Sequence, residues 1–294
     1  MQIAVLGWPG SWYVDDLARA ASSRKVALAP VPFRCVQSTI SGNGVSVRAE
    51  GVELTRVDRV LVRTMPPGSL EQVVFRMDAL ARVEAAGVPV LNPPRAVEVA
   101  VDKYLATARL QAAGLPVPTT VSCEAADAAM AAFEALGGDV VVKPIFGSEG
   151  RGIFRVSDPD LALRAFRALE RIDAVVYLQE FVPHEGADLR AMVVGERVVA
   201  AMRRRSTSDW RTNVARGSAA EPIELTDQEC SLALKAARAV GAPLAGVDLL
   251  PARDGTTYVL EVNAVPGWKA LAEATGCDVA GEVLDYLVRG EWTR

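Results

Sequence analysis

The sequence predicts an α/β protein built from three consecutive units. Three observations carry this. Strand and helix signals alternate through residues 1–95. Proline and glycine punctuation divides the chain near Arg95 and again near Pro183. Finally, two apolar runs flank Asp254-Gly255 in GVDLLPARDGTTYVLEVN, Gly246 to Asn263, as in a β-hairpin.

In the first unit, Gln2–Gly7 is a short apolar strand followed by a Gly/Pro loop, and 15–23 reads as a helix. Strands follow at 26–30 and 57–63, a helix at 71–86, and a strand at 88–91 that stops at Pro93-Pro94. This βαβ order predicts a parallel sheet. The second unit, residues 96–182, opens with one long helix over 97–113, closed by Gly114 and then Pro116. A helix at 127–136 ends at Gly137-Gly138, and strands at 139–143 and 152–156 flank a glycine-rich loop. A helix at 161–169 and a strand at 174–181 complete it. The third unit, residues 183–294, has a hairpin over 189–203, a helix at 228–240, the Gly246–Asn263 hairpin and a closing helix at 279–288.

Composition narrows the function classes. The chain has 294 residues, half of them apolar, and a formal net charge of −4. That is ample for a sizeable core, and it argues against a broad DNA- or RNA-binding surface. Charges interrupt every apolar run before it could span a bilayer. MQIAVLGWPGSWYVDD lacks the basic start of a signal peptide. The four cysteines are widely separated and form no C-x-x-C pair, so they read as reduced thiols of a cytoplasmic protein. With a single histidine, His184, sites needing several histidines are excluded; His184 itself reads as a surface loop residue.

The hairpin carries the first chemical signal. If Asp254-Gly255 forms a two-residue turn, Asp248 lies opposite Glu261, and Asn263 shares the Glu261 face. Two like charges so placed repel. The face is therefore either a solvated polar surface or a site for a hard cation, since two carboxylates and an amide suit Mg²⁺ completed by substrate phosphates. VVVKPIFGSEGRGIFRV sets Lys143 at a strand end before Gly147, Ser148, Gly150 and Gly152. Such glycines let backbone N–H groups cradle an anion, although a flexible hairpin with a surface lysine would read the same. Lys103 sits early in a helix of mostly apolar and small residues. Glu180 and Phe181 occupy a hinge between units, where a strand edge could read an adenine and Asp188 could hold ribose hydroxyls. In RRRSTSDWRTNVARG, Arg203 and Arg205 share one strand face, and Arg211, Thr212 and Asn213 follow in a polar loop. Arginine's fork suits carboxylates and phosphates.

Taken in order, these motifs resemble the ATP-grasp ligases, and AMRRRSTSDWRTNVARG with GVDLLPARDGTTYVLEVNAVPGWKAL resembles the RimK-type glutamate ligase branch. The resemblance implies an N-terminal α/β domain over 1–95 and two α+β ATP-grasp subdomains, 96–182 and 183–294, holding ATP between them. It implies that Lys103, Lys143, Gly147, Ser148, Gly150 and Gly152 contact phosphates, and that Glu180 and Phe181 bind adenine. Asp188 would hold the ribose, and Arg211, Thr212 and Asn213 would line the phosphate and substrate side. Asp248, Glu261 and Asn263 would hold Mg²⁺ or Mn²⁺. Arg190, Arg203 and Arg211 are the candidate catalytic arginines. The implied reaction activates a carboxylate as an acylphosphate and joins it to an amine, with glutamate favoured. The acceptor would be a small molecule or a protein tail, and the enzyme a homo-oligomer. A dipeptide-forming ligase of the same fold, or a nucleotide-binding module without turnover, are the alternatives.

Overall fold

A computed structural model describes residues 1–42, 44–147, 151–206, 210 and 219–290. The N-terminal unit comprises β1 (Gln2–Leu6), α1 (Trp12–Ala21), β2 (Ala27–Val31), β3 (Val36–Ser41), β4 (Gly44–Ala49), β5 (Val52–Glu53), β6 (Arg59–Val62), α2 (Leu70–Ala85) and β7 (Val90–Leu91). As the alternating signals predict, a parallel sheet forms, in the order β2-β1-β6-β7. The β3-β4-β5 antiparallel sheet was not anticipated. Its strands are largely exposed and carry no continuous apolar run.

The single helix expected over 97–113 is two: α3 (Pro94–Val101) and α4 (Lys103–Ala112). Asp102 is extended, and its carboxylate accepts the Leu105 N–H at 3.0 Å, capping α4. Apolar periodicity runs through the break and conceals it. Next come β8 (Thr120–Cys123), α5 (Ala126–Ala135), β9 (Val140–Lys143), β10 (Phe154–Val156), α6 (Pro159–Glu170) and β11 (Val176–Glu180). These strands form an antiparallel sheet, β10-β9-β11-β8, with its own core against α5 and α6, centred on Phe133 and Phe166. Ala96, Val97, Val99 and Leu110 belong to a different core, shared by the first and last units.

The last unit contains β12 (Ala187–Val194), β13 (Arg197–Arg205), β14 (Ala219–Pro222), α7 (Asp227–Val240), β15 (Leu244–Pro251), β16 (Thr257–Asn263), α8 (Lys269–Thr275) and α9 (Val279–Arg289). Its five strands run β14-β13-β12-β15-β16. One face presents Leu189, Ala191, Val193, Val247 and Val262 to the core that includes α7. The other presents Met192, Val194, Met202 and Leu244 to the core of α1, α8 and α9. Asn92, fully buried, donates to the Leu244 carbonyl at 2.6 Å and accepts the Leu244 N–H at 3.0 Å, tying the first unit to this sheet.

The hairpin register agrees with the expected pairing, by an unexpected route. Asp248 pairs with Glu261 and Gly246 with Asn263. However, Leu249 pairs with Val259, so Leu260 is an extra residue in β16. The turn is not Asp254-Gly255 alone. Ala252 N–H donates to Thr256 O at 2.8 Å, enclosing Arg253–Gly255 as a three-residue loop with Gly255 at φ 86°. The odd loop shifts the register by one residue, and the Leu260 bulge shifts it back.

Candidate functional site

Strand parity gathers the polar groups. Along β12, Asp188 and Arg190 alternate with the core residues Leu189 and Ala191. Cross-strand pairing sets Arg204 beside Asp188 and Asp248 beside Arg190, with Glu261 and Asn263 beyond. All six therefore share one sheet face. Arg190 forks onto both Asp248 oxygens, through Nε and, at 2.8 Å, through Nη2. Arg204 forks onto Asp188 at 2.7 and 2.5 Å and reaches Asp248 at 3.0 Å. Two arginines and two aspartates thus form one buried network. Burial pushes the Asp248 carboxyl up, but Arg190 and Arg204 outweigh it and hold the group below its ordinary value, so Asp248 stays ionised.

Arg203, expected among the catalytic arginines, is excluded from this face. Opposite Leu189 in the ladder, it lies on the α7 side of the sheet, and its neighbour Arg204 takes the site position. Asp188, expected to hold the ribose, lines the cleft, and both its oxygens accept from Arg204, so the carboxylate also orients that arginine. Arg211, Thr212 and Asn213, like Ser148 and Gly150, lie outside the described residues.

The opposing wall comes from the central unit. A cleft lies between the two sheets. Its apolar part is lined by Val141, Ile153, Val182, Leu250 and Leu260, and its polar part by Lys143, Arg204, Asp248 and Glu261. The bulge puts Leu260 and Glu261 side by side into this space. Such a slot accepts a flat base at one end and phosphates at the other. Lys143 donates to Gln179 Oε1 at 2.6 Å. Burial is the main cause that lowers its pKa to about 8; Glu261 and Asp248 raise it and Lys103 lowers it further. Lys103 donates from Nζ to the Gly147 carbonyl at 2.8 Å, so both lysines meet at the glycine loop. At Gly152, φ is 72° and a Cβ would lie 2.9 Å from Pro144 Cγ, which reserves the position for glycine.

At the hinge, Glu180 accepts the Thr119 N–H at 2.7 Å, and the Phe181 N–H donates to Asp139 O. The Phe181 ring lies under the Arg155 guanidinium, 3.4 Å from Cζ to centroid, and against Trp210. Both residues line the cleft with Val182, whose N–H has no acceptor among the described residues. His184, read as a surface residue, is half-buried and lines the cleft; its ring nitrogens lie 2.9 and 3.0 Å from the Val182 and Trp210 carbonyls. Arg204, Val182, Leu260 and Trp210 are the site residues that motif reading missed. The only local signal was the R-R-R run, which fixes alternation but not which arginine faces the cleft.

Among the described residues no cluster of three or more acidic, histidine or cysteine side chains could hold a metal. The cation donors are two carboxylates and one amide. Asp248 spends three lone-pair positions on arginines and keeps about one of four for a further partner. This sparse oxygen set fits Mg²⁺, which retains few protein ligands when phosphates complete its shell.

Residues 100–287 match the RimK-like ATP-grasp domain. The chain is 32% identical to the tetrahydromethanopterin:α-L-glutamate ligase of Methanosarcina acetivorans, over 95% of this chain and 96% of that protein. It is likewise 32% identical to the ribosomal protein bS6–L-glutamate ligase of Escherichia coli, over 98% of this chain and 96% of that one. Among solved structures, the ATP-grasp ligase PsnB complexed with a minimal precursor superposes with TM-score 0.78 at 25% identity, covering 98% of each chain.

Proposed function

Since the chain belongs to the RimK-like ATP-grasp family and is an ATP-dependent amino-acid ligase, we propose that it joins L-glutamate through its amine to an acceptor carboxylate. Two relatives of equal identity are named for glutamate, one with a pterin acceptor and one with a ribosomal protein. That supports glutamate as the amine. It leaves two acceptor classes, a small molecule and a protein tail.

The chemistry follows from the residues. An acceptor carboxylate oxygen bonds to the γ-phosphorus of ATP while the bond to the β-phosphate oxygen breaks, giving an acylphosphate and ADP. The glutamate amine then bonds to the acyl carbon, loses a proton, and expels phosphate, leaving an amide. Lys103 and Lys143 hold the phosphates across the glycine loop, and Val182 offers its N–H to the base edge. Asp248, Glu261 and Asn263 would hold Mg²⁺ or Mn²⁺, which when bound neutralises charge on the transferring phosphoryl group. Arg190 and Arg204 place positive charge where the acylphosphate develops negative charge. The chain supplies positioning and electrostatics rather than a covalent nucleophile.

The observation that carries this reading is the single sheet face bearing Asp248, Glu261, Arg190 and Arg204, set across a cleft from Lys143. The test is ADP release with Mg²⁺ and a matrix of amino acids against carboxylates, including a bS6-like C-terminal peptide and pterin-linked carboxylates. Glutamate-dependent release with one acceptor class is expected. Release supported equally by neutral amino acids would reject glutamate; none with any pair would reject ligase turnover.

A further inference from the structure

Arg63 follows β6 at the carboxyl end of the parallel sheet, the edge where open α/β sheets take ligands. Its side chain is enclosed, with 4% exposure. Its Cζ lies 4.2 Å from the Tyr13 ring centroid and 4.4 Å from that of Trp268. These two rings meet edge to face at 79°, forming a corner around the guanidinium. Trp268 is fixed by its indole N–H, which donates to Asp16 at 3.0 Å. Nε and Nη1 of Arg63 have no hydrogen-bond partner, and no carboxylate among the described residues pairs with it. Burial is the main cause that lowers its pKa to about 10, against a charge interaction and a hydrogen bond with Tyr13 that raise it. The other buried arginines each have an oxygen partner: Arg204 has two aspartates, and Arg76 donates to the Pro66 carbonyl at 2.6 Å. A desolvated cation with ring contacts and no anion is costly to keep unless something pairs with it.

The position is continuous with the reaction face. Trp268 lies five residues beyond Asn263. A Cβ on Gly267 would fall 2.8 Å from the Tyr13 hydroxyl, so the chain passes directly against α1. A Cβ on Gly246 would fall 3.0 Å from Pro266 Cβ and 3.1 Å from Arg190 Nη1. Pro266 and Arg190 therefore flank the same glycine, and two residues beyond Pro266 the Trp268 ring lies against Arg63.

We propose that Arg63 binds a substrate carboxylate other than the one activated by ATP, and so selects an acidic substrate. Its fork suits a carboxylate bidentately, and the aromatic corner fixes the fork's direction. The anion belongs either to the incoming dicarboxylic amino acid or to an acidic acceptor terminus. This inference rests on the ligase reading, but its test is a binding measurement that needs no turnover.

The full chain, loaded with a non-hydrolysable ATP analogue and Mg²⁺, is titrated calorimetrically with L-glutamate and with the dipeptide Glu-Glu. Each probe is compared with its amide counterpart. Arg63→Met should weaken one probe by about 10- to 100-fold, the worth of a charge-assisted hydrogen bond or two. It should also erase that probe's preference over its amide, with nucleotide affinity unchanged. Arg63→Lys should recover part of the loss, and it carries the same reading if the Met variant fails to fold. Loss confined to glutamate assigns the amine substrate; loss confined to Glu-Glu assigns the acceptor. Equal binding of both probes to wild type and variants, or no binding of either to wild type, overturns the proposal. A failed ligase reading would instead appear as absent ADP release by wild type with every pair.

Discussion

Replacing Arg204 tests the buried network. Its side chain and that of Asp188 are each 5% exposed, and three contacts of 2.5–3.0 Å join it to Asp188 and Asp248. Arg204→Met removes the cation and leaves the Asp188 carboxylate buried without it. Breaking one side of a buried pair costs roughly 3–5 kcal/mol. At about 2 °C per kcal/mol for a chain of this size, Tm should fall by about 6–10 °C. Urea denaturation should show the same loss with an unchanged slope. Removing both charges, as in Asp188→Leu/Arg204→Met, should restore stability to within roughly 1 kcal/mol of wild type, because an apolar pair of similar volume often replaces an ion pair at little cost. The restored protein should still lack turnover, since Arg204 no longer faces the phosphoryl group. A single-variant loss below about 1 kcal/mol, or a double variant no more stable than the single, would refute the idea that Arg204 neutralises a buried carboxylate.

Asp248 has a depressed folded pKa, so its contribution to stability is complete above its unfolded value near 4 and is lost as pH falls further. Acid titration of the Arg190→Met variant should show a shallower loss over that limb than wild type. Lys143 has the opposite signature. Its folded pKa of about 8 lies below the unfolded value near 10.4, so the unfolded chain binds more protons between them and stability should rise with pH across that window. Lys143→Met should abolish the rise. ATP should also draw a proton onto Lys143 near pH 8.5, seen as buffer-dependent calorimetric enthalpy that vanishes in Lys143→Arg. Asp248→Asn or Glu261→Gln should weaken Mg²⁺-dependent nucleotide binding and lower kcat by about 10²-fold or more, an effect typical of lost electrostatic stabilisation; full activity would remove them from the metal site.

The parts of the molecule most readable from sequence are those set by local periodicity. Apolar runs at Gln2–Leu6 and Arg59–Val62 must be buried on both faces, and that places them in a parallel sheet. The α3–α4 break was legible only through Asp102, a capping residue inside an otherwise uninterrupted apolar pattern. Arg203 and Arg204 show a different limit. Alternation puts neighbours on opposite faces, but the choice of face depends on what Leu189 and Ala191 pack against across the ladder. Arg63 shows a third. Its two aromatic contacts come from positions 50 residues before it and 205 after it, and no local pattern joins Tyr13 to Trp268.

The hairpin joins both levels. A two-residue turn and an unbroken ladder would place Asp248 opposite Glu261; so do a three-residue turn and one bulge. The second solution differs in what it displays, because Leu260 joins Glu261 on the cleft wall. Deleting Leu260 separates them. With the Arg253–Gly255 loop kept, Val259 would stay opposite Leu249 and Glu261 would move directly beside it, opposite Asp248 but in a regular ladder without the apolar neighbour. The charge pair would survive, and the base-binding wall would lose one side chain. Nucleotide affinity should therefore fall by about 10-fold, since the half-buried Leu260 contributes roughly 1.5 kcal/mol, the low end for a leucine side chain, while Mg²⁺ dependence persists. Loss of Mg²⁺ dependence with unchanged nucleotide affinity would show that the bulge exists to aim Glu261, not to line the base pocket.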